Sequence, residues 1–446
     1  MTASPAAVDT HPPDGHTFSG MRHFGSLVVG YTVSSYGSFL NMVALPLFAY
    51  HVTESALHTG VIMALRLAAS SACGLVAGGV VSRCNRKFVM VTADLTQAAA
   101  LAALVLVPAG AQPSTLYGVA VLAGTCATLS GVALRSSIPE IVGQDRRVQA
   151  NGLLVTGRSL AMVGGFASAG LVISTMGYQA AFLLDAATFV FSALNLARLP
   201  IVTRGGEQPP TAAGKARGLL TAQVDALRFL GLKPVLYTMI VIRAADGFGS
   251  ASHNVAMPVY SSAVDPVHPA AFMGQFWATW AIGNILAQQG VGRYTRKRGR
   301  SVGEHAFAVG VCLMSVSFIL VFAGLPAGPG TVVAMVAGMA DGFTEIAYTS
   351  RLQAVPDPAR GYVFGFSATV ENFGFGLGMV VSAALLDQFP PLGVVGTLHG
   401  LAVVLALALL LVLVRNGRRA ARHRSAVGGL PQPNGRTPQD IGVERP

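Results

Sequence analysis

The chain is dominated by long apolar runs joined by short turns, and the most informative join is a basic hairpin. Leu57 to Val81 and Phe88 to Val107 are two apolar runs that only six residues separate. A helix needs about 20 apolar residues to cross a bilayer. A turn this short therefore joins two antiparallel helices at one membrane face. Its three cations, Arg83, Arg86 and Lys87, predict that this face is cytoplasmic, because short basic loops stay on that side.

A second basic hairpin lies much later in the chain. The segment from Gly290 to Arg298 again follows one apolar run and precedes another. Two basic hairpins at matching places indicate two related halves. The first hairpin also has Gly74 and Gly78 four residues apart, a spacing that predicts a close approach between helices.

Composition excludes an ordinary soluble protein. Only 11% of the 446 residues are charged and 52% are hydrophobic, whereas soluble domains carry about 25% charged residues. We therefore predict an all-α polytopic membrane protein with twelve transmembrane helices in two pseudo-symmetric six-helix bundles, residues 24–198 and 234–414. The remaining segments, 1–23, 199–233 and 415–446, are predicted to be a cytoplasmic tail, a cytoplasmic linker and a basic cytoplasmic tail without fixed structure.

The net charge of +11 has two readings, a nucleic-acid-binding surface or basic cytoplasmic loops. No Lys or Arg falls in a predicted outer loop, so we expect no nucleic-acid partner. Four dispersed cysteines show no paired spacing and are interpreted as packing residues. No metal-ligand, nucleophile-elbow or phosphate-loop pattern is present. We therefore expect neither an enzyme nor a cofactor.

Ionisable residues inside spans cost about 2.5 kcal/mol or more to insert, so each needs a partner or a function. In the first half these are Asp94, Arg158, Arg66 and Asp185. Depths counted from the span ends predict two neutral pairs, Asp94 with Arg158 and Arg66 with Asp185. Structural pairing and a direct role in binding substrate or protons remain alternatives for all four.

The second half has more acidic than basic residues within its spans. Arg243 and Asp246 are three residues apart on one helical face and are predicted to neutralise each other. That leaves Asp341, Glu345 and Glu371 without a basic partner in their half. A low-dielectric medium favours the neutral form of a carboxyl group, so these residues suit proton uptake and release, or binding of a cationic substrate. The alternative is a protonated carboxyl group that bridges two helices by a hydrogen bond.

The first hairpin resembles the signature loop of the major facilitator superfamily. Gly78, Arg83, Arg86 and Lys87 match the pattern, while Ser82 stands where aspartate is usual and Asn85 where glycine is usual. The resemblance implies that this loop takes part in gating between two conformations.

Further segments resemble one branch of that superfamily, the drug:proton antiporters that include macrolide-efflux and enterobactin-exporter proteins. These segments are Val43 to Leu47, Ala64 to Leu67, Thr92 to Leu95, Arg158 with Ser159, Ala181 to Ala187, and Leu352 to Gly365. The chain departs from the branch at two points. Phe166 follows Gly165 where the branch usually has proline. The fourth span lacks the branch's usual mid-membrane arginine, since Arg135 lies at the cytoplasmic end of that span.

This resemblance implies a monomeric carrier in a bacterial-type inner membrane, with both termini cytoplasmic. Its partners would be the lipid bilayer, protons and a small amphipathic or cationic molecule such as a drug, antibiotic or siderophore, which it would export by alternating access. Import of a nutrient or metabolite on the same fold is the alternative, because fold does not set direction.

Overall fold

The computed structural model describes residues 16–143, 146–200, 212–298 and 303–428, and these ranges contain helices but no strand. The α-helices are α1 His16–Thr53, α2 Ala56–Arg83, α3 Arg86–Leu106, α4 Gln112–Val142, α5 Arg147–Arg198, α6 Ala212–Gly231, α7 Pro234–Val264, α8 Pro269–Arg298, α9 Glu304–Val321, α10 Ala327–Gln353, α11 Asp357–Leu386 and α12 Pro391–Gly428. A short 3₁₀ turn, Ala109–Ala111, precedes α4.

Helix α5 contains two spans, because its backbone reverses at Gly177, where φ is 81° and ψ is 175°. A positive φ of this kind is readily available to glycine. We call the two parts α5a, residues 147–176, and α5b, residues 178–198. With α5 counted as two and α6 set apart, the predicted fold of twelve spans is confirmed in the described part of the chain.

Seven of the described helices are long and apolar enough to cross a membrane on length and composition alone, with α5 counted once: α2, α3, α4, α5, α9, α11 and α12. The other spans are more polar. Helix α7 carries Arg243 and Asp246, and α10 carries Asp341 and Glu345. Side chains of this kind are tolerated within a bilayer when they face the interior of a bundle.

The two halves repeat the same helix packing. In the first half α2 and α3 pack on α4, while α1 and α3 pack on α5. In the second half α8 and α9 pack on α10, α7 packs on α11 and α12, and α9 packs on α12. Each pairing in one half has its counterpart six spans later in the other. Across the halves α5 packs on α8 and α2 packs on α11. These two contacts are equivalent to each other under the same offset of six spans.

The halves share a core at only one end of the molecule. We call the end that holds the turn between α2 and α3 the basic end. One cluster at the other end, the closed end, joins side chains of both halves, including Phe166, Met273 and Met379. Near the basic end the second half has its own cluster, which includes Phe307, and the first half another, which includes Phe24. The interface is therefore closed at one end and parted at the basic end.

Close backbone contact between α5a and α8 forms part of this closure. A Cβ atom on Gly170 would lie 2.7 Å from Cα of Ala271, and one on Gly274 would lie 2.8 Å from the Phe166 carbonyl oxygen. Gly74 and Gly78 behave differently from prediction, since no heavy atom of another element lies within 4 Å of a Cβ built on either. Their helix, α2, approaches its partner nearer the closed end, where a Cβ on Gly60 would lie 3.0 Å from the Met379 carbonyl oxygen.

Helices extend into the segments predicted to be tails and linker. Residues 199–233 include the helix α6, whose Ala226 and Leu230 are buried. Helix α1 begins at His16 and α12 continues to Gly428, so part of each predicted tail is helical. The predicted domain bounds themselves stay predictions. Residues 201–211 and 429–446, which belong to the predicted linker and basic tail, lie outside the described residues.

Candidate functional site

A cavity of about 330 Å³ lies between the halves, on the inner side of the closed end. It draws its walls from α1, α2, α4, α5a, α7, α8 and α11, so both bundles contribute. Most of the lining is apolar and flexible. The lining residues are Met42, Leu45, Pro46, Ala49, Ile62, Met63, Arg66, Leu67, Ser70, Gly124, Ala127, Phe166, Asn254, Met273, Trp277, Phe375 and Met379.

Aromatic rings close this cavity across the interface of the halves. Phe166 of α5a stacks on Trp277 of α8, with ring centroids 5.9 Å apart. Phe39 meets Phe166 edge to face at 5.3 Å. Trp280 meets Trp277 at 5.5 Å, so the two tryptophans of the chain lie beside one cavity. Flat apolar rings beside unbranched methionine side chains give a surface that adapts to varied apolar molecules.

Arg66 stands between this cavity and a smaller polar one. The second cavity, of about 20 Å³, has Ser38, Asn41, Arg66, Gln97 and Asp185 in its wall. No ion pair within 4.0 Å joins Arg66 to Asp185 among the described residues, but the two charges act on each other across the space. The predicted pair is thus brought to one site without direct contact.

Arg243 is surrounded by carboxyl groups in the second half. Its Nη1 lies 2.8 Å from Asp246 Oδ2, its Nη2 2.6 Å from Glu345 Oε2, and its Nε 3.6 Å from Glu371 Oε2. The ion pair with Asp246 is the predicted one. The prediction that Glu345 and Glu371 lack a basic partner in their half is wrong, because helix packing brings α7, α10 and α11 together around one guanidinium.

Asp341 completes this acidic cluster, which we define as Arg243, Asp246, Asp341, Glu345 and Glu371. Asp341 interacts with Arg243 through its charge and accepts a hydrogen bond from Asn284 Nδ2 at 3.2 Å. Among the described residues Asp341 forms no ion pair within 4.0 Å. Four carboxyl groups thus converge on one guanidinium, an excess of acid over base.

Hydroxyl groups hold the glutamates of the acidic cluster in place. Ser367 donates to Glu371 Oε1 at 2.7 Å, and Ser367 in turn is 2.6 Å from the Tyr348 hydroxyl. Thr349 donates to Glu345 Oε1 at 3.0 Å. Glu371 lies one helical turn from Phe375, which lines the central cavity. The cluster and the cavity are therefore neighbours along α11.

The predicted pairing of Asp94 with Arg158 is not seen. Asp94 is buried and accepts a hydrogen bond from Ser192 on α5b. Arg158 lies over the ring of Phe39, with Cζ 5.5 Å from its centroid. The predicted pairing came from depths counted along the spans, and depth alone does not fix which face of a helix a side chain occupies.

The basic hairpin contacts the ends of α4 and α5b in the first half. Arg86 donates to Ser136 O at 2.9 Å and forms an ion pair with Glu140 at the end of α4. Lys87 Nζ donates to the carbonyl groups of Ala197 and Leu199, at 2.9 and 2.7 Å, where α5b ends. Cations are favourable beside the last carbonyl groups of a helix. Arg83 is exposed. A gating role for Gly78 and these cations stays a prediction.

The second half carries the same ion pair with its charges exchanged. Glu304 at the start of α9 pairs with Arg351 near the end of α10, where the first half pairs Arg86 at the start of α3 with Glu140 near the end of α4. Opposite charges thus meet at these two helix ends in both halves, in reversed order.

A buried histidine pair lies behind the cavity. His253 Nδ1 is 3.0 Å from His399 Nε2, and Asn254 Nδ2 is 3.2 Å from His253 Nε2. The His253 ring stacks on Phe318 at 3.7 Å. His399 is the only ionisable residue in the apolar run of α12 before residue 415, a signal that could have prompted a search for its partner.

These features define a class of protein: a two-bundle membrane carrier, with a cavity between the bundles and paired charges within them. Residues 27–355 match the Major Facilitator Superfamily. The match covers well over half of the chain, and the protein belongs to this superfamily. It is a transporter of the secondary class rather than an enzyme.

Solved structures share the fold at low sequence identity. The nucleoside transporter NupG superposes with a TM-score of 0.68 at 16% identity, over 87% of this chain and 98% of that one. A point mutant of the peptide transporter POT, in complex with alafosfalin, gives 0.65 at 16% identity, over 89% and 95%. A bacterial homologue of the human lysosomal transporter Spinster, in an inward-facing and unoccupied conformation, gives 0.61 at 15% identity, over 90% and 96%. No curated protein sequence matches this chain.

Proposed function

We propose that the protein is a proton-coupled exporter of a small amphipathic molecule, working by alternating access. The observation that carries this proposal is the acidic cluster, where four carboxyl groups surround Arg243. All four cannot ionise without leaving negative charge uncompensated in a medium of low dielectric. Such a cluster binds and releases protons as its exposure changes, which is what coupling to a proton gradient requires.

The central cavity supports an amphipathic cargo. Its methionine, phenylalanine and tryptophan side chains offer dispersion contacts and few hydrogen-bonding groups. A strongly polar molecule would lose its water there without enough replacement partners. A largely apolar body with one polar end fits better, which agrees with the resemblance to drug:proton antiporters.

The basic end is the end at which the halves are parted, and its charges support a cytoplasmic orientation. Arg83, Arg86 and Lys87 lie there, and short basic loops stay in the cytoplasm. The structure then represents the state open to the cytoplasm, with both described chain ends on that side. Rocking of the bundles that parts the shared core and shuts the basic end would expose the cavity to the other face.

Proximity of the acidic cluster to the cavity supports exchange of cargo against protons. Glu371 is one turn of α11 from Phe375 in the cavity wall. Cargo that enters from the cytoplasm would approach the cluster before it reaches the cavity. Loss of protons from the cluster in this state, and their uptake in the other, would return the carrier for each export cycle.

Transport into proteoliposomes tests the proposal. Vesicles that hold the full chain are given an acidic interior, and uptake of a fluorescent amphipath is followed with and without a protonophore. We expect accumulation in the acidic lumen that the protonophore abolishes. Glu371→Gln should lose this uphill phase, while Asp387→Asn, an exposed carboxyl substitution at the end of the same helix, should keep it.

The opposite dependence would identify the other direction of transport. Accumulation only when the exterior is acidic would show proton-coupled uptake together with the cargo, as in an importer. Accumulation that ignores the gradient, or that survives in Glu371→Gln, would contradict the proposed role of the cluster.

A further inference from the structure

Arg66 lies at a boundary between two cavities of opposite chemistry. It is the one side chain with a formal charge among the described residues that line the central cavity. On its other side lies the small polar cavity that contains Asn41 and Asp185. The acidic cluster contributes no residue to either lining. The charge that a bound cargo meets first inside the cavity is therefore positive.

Two buried acceptors in the small cavity lack a donor. Asn41 Oδ1 and Asp185 Oδ2 have no hydrogen-bond partner among the described residues. Asn41 is 9% exposed and Asp185 is fully buried. The other Asp185 oxygen is 3.4 Å from the Thr188 hydroxyl. The Asp185 carboxyl group also interacts with the Asn41 side chain. The guanidinium of Arg66 is the nearby cation, and it acts on Asp185 through charge alone.

We propose that the cargo carries an anionic group of the carboxylate type, which binds Arg66 while the apolar body fills the central cavity. This inference rests on the proposed function and narrows its cargo class. A guanidinium presents paired N–H donors that match a carboxylate, and such charge-assisted bonds are strong. A cationic end would meet Arg66 without a carboxylate in the cavity lining.

Asp185 is then the internal counter-ion that the cargo displaces. Asp185 and Arg66 line the same small cavity. An incoming carboxylate competes with Asp185 for the same guanidinium. Removal of the Asp185 charge should therefore strengthen binding of the anion, which a purely structural role of Asp185 would not produce.

Binding of three matched probes tests this inference. They are 4-(1-pyrenyl)butanoate, 4-(1-pyrenyl)butylamine and the neutral 4-(1-pyrenyl)butanol, which share one apolar body and differ in charge. The purified full chain in nanodiscs of neutral lipid transfers energy from its tryptophans to pyrene, and Trp277 lies in the cavity wall. We expect the butanoate to bind about tenfold more tightly than the amine, the scale of one charged hydrogen bond.

Three variants test whether Arg66 is the residue that binds the anionic group of the probe. Arg66→Gln should remove the preference for the butanoate, Asp185→Asn should increase its affinity several-fold, and Arg198→Gln, an exposed arginine at the end of α5b, should change neither. The comparison of butanoate with amine on the wild type needs no variant, so the inference can be tested even if Arg66→Gln misfolds. Equal or tighter binding of the amine to the wild type, or a preference that survives Arg66→Gln, would overturn the inference.

The binding experiment is independent of transport. It uses no proton gradient, so a carrier that prefers the butanoate but ignores protons would overturn proton-coupled export and leave the cargo class standing. A carrier that is driven by protons but prefers the amine would do the reverse.

Discussion

Glu371 reaches Arg243 from a neighbouring helix, with its Oε2 atom 3.6 Å from the Nε atom of the guanidinium. Its other oxygen accepts a hydrogen bond from Ser367 at 2.7 Å. The carboxyl group therefore has two kinds of partner, a cation and a hydroxyl group that can donate or accept a hydrogen bond. Glu371 is 29% exposed on its side chain while Asp246 is 2% exposed, so Glu371 is the more accessible of the two from the open end.

Removal of Arg243 should destabilise the protein more than removal of one carboxyl group. Arg243→Gln leaves four carboxyl groups without a cation, and loss of one partner of a buried ion pair costs about 3–5 kcal/mol. Arg243→Lys keeps the charge and should be milder. Fluorescence-detected size exclusion after heating measures the difference. Equal thermal midpoints for Arg243→Gln and the wild type would show that the cluster does not depend on this cation.

Reversal of the ion pair in the first half should be tolerated only when both charges change. Arg86→Glu places two acidic groups together at the ends of α3 and α4, and it should lower transport and yield. The double change Arg86→Glu with Glu140→Arg reproduces the order that the second half already uses in Glu304 and Arg351. We expect the double variant to recover most of the loss in the vesicle uptake assay. A double variant as poor as Arg86→Glu alone would assign another role to this arginine.

A larger side chain at Gly274 should weaken the closed end. Valine there would force apart α8 and α5a, where a Cβ would lie 2.8 Å from the Phe166 carbonyl oxygen. The carrier should then favour the state that is parted at the closed end and shut at the basic end. A cysteine introduced at Gly78, in a chain with the exposed Cys84 changed to serine, should react more slowly with an aqueous maleimide.

Gly118→Val is the control for this measurement, because no heavy atom of another element lies within 4 Å of a Cβ at that position. It should leave the labelling rate unchanged. An unchanged rate in Gly274→Val as well would mean that the closed end tolerates the extra volume without a shift between states.

The buried histidine pair should stabilise the fold without setting the coupling to protons. His399→Ala removes the 3.0 Å contact to His253, and a buried group left unsatisfied costs about 1–3 kcal/mol. We expect a lower thermal midpoint and an unchanged dependence of uptake on the proton gradient. Loss of the proton dependence at normal stability would instead establish the pair as a relay.

Sequence reasoning reached the fold because the information is local. Apolar runs of membrane-crossing length and basic turns such as Arg83 to Lys87 fix the number and direction of spans. The turn at Gly177, between the fifth and sixth spans, was also within reach, since Met176 to Gln179 interrupts an apolar run.

Contacts between distant helices were harder to predict. Residues counted from the span ends gave a depth for Asp94 and Arg158, but not the direction in which each side chain points around its helix axis. A shift of one residue along a helix changes that direction by about 100°. Arg243 was assigned to Asp246 alone because the two are close in sequence. Its contacts with Glu345 and Glu371 need the packing of α7 against its neighbours, which no local pattern encodes.

The shared core at the closed end has an energetic consequence for a protein surrounded by lipid. When the halves part at this end, the apolar side chains of the seam, such as Phe166 and Met273, meet the water that enters the opened cavity. Exposure of apolar surface to water is unfavourable, and the close backbone contact between Gly170 and Ala271 is lost as well. A cargo whose apolar body covers these side chains would offset part of that cost, so the lipid around the molecule does not lower it.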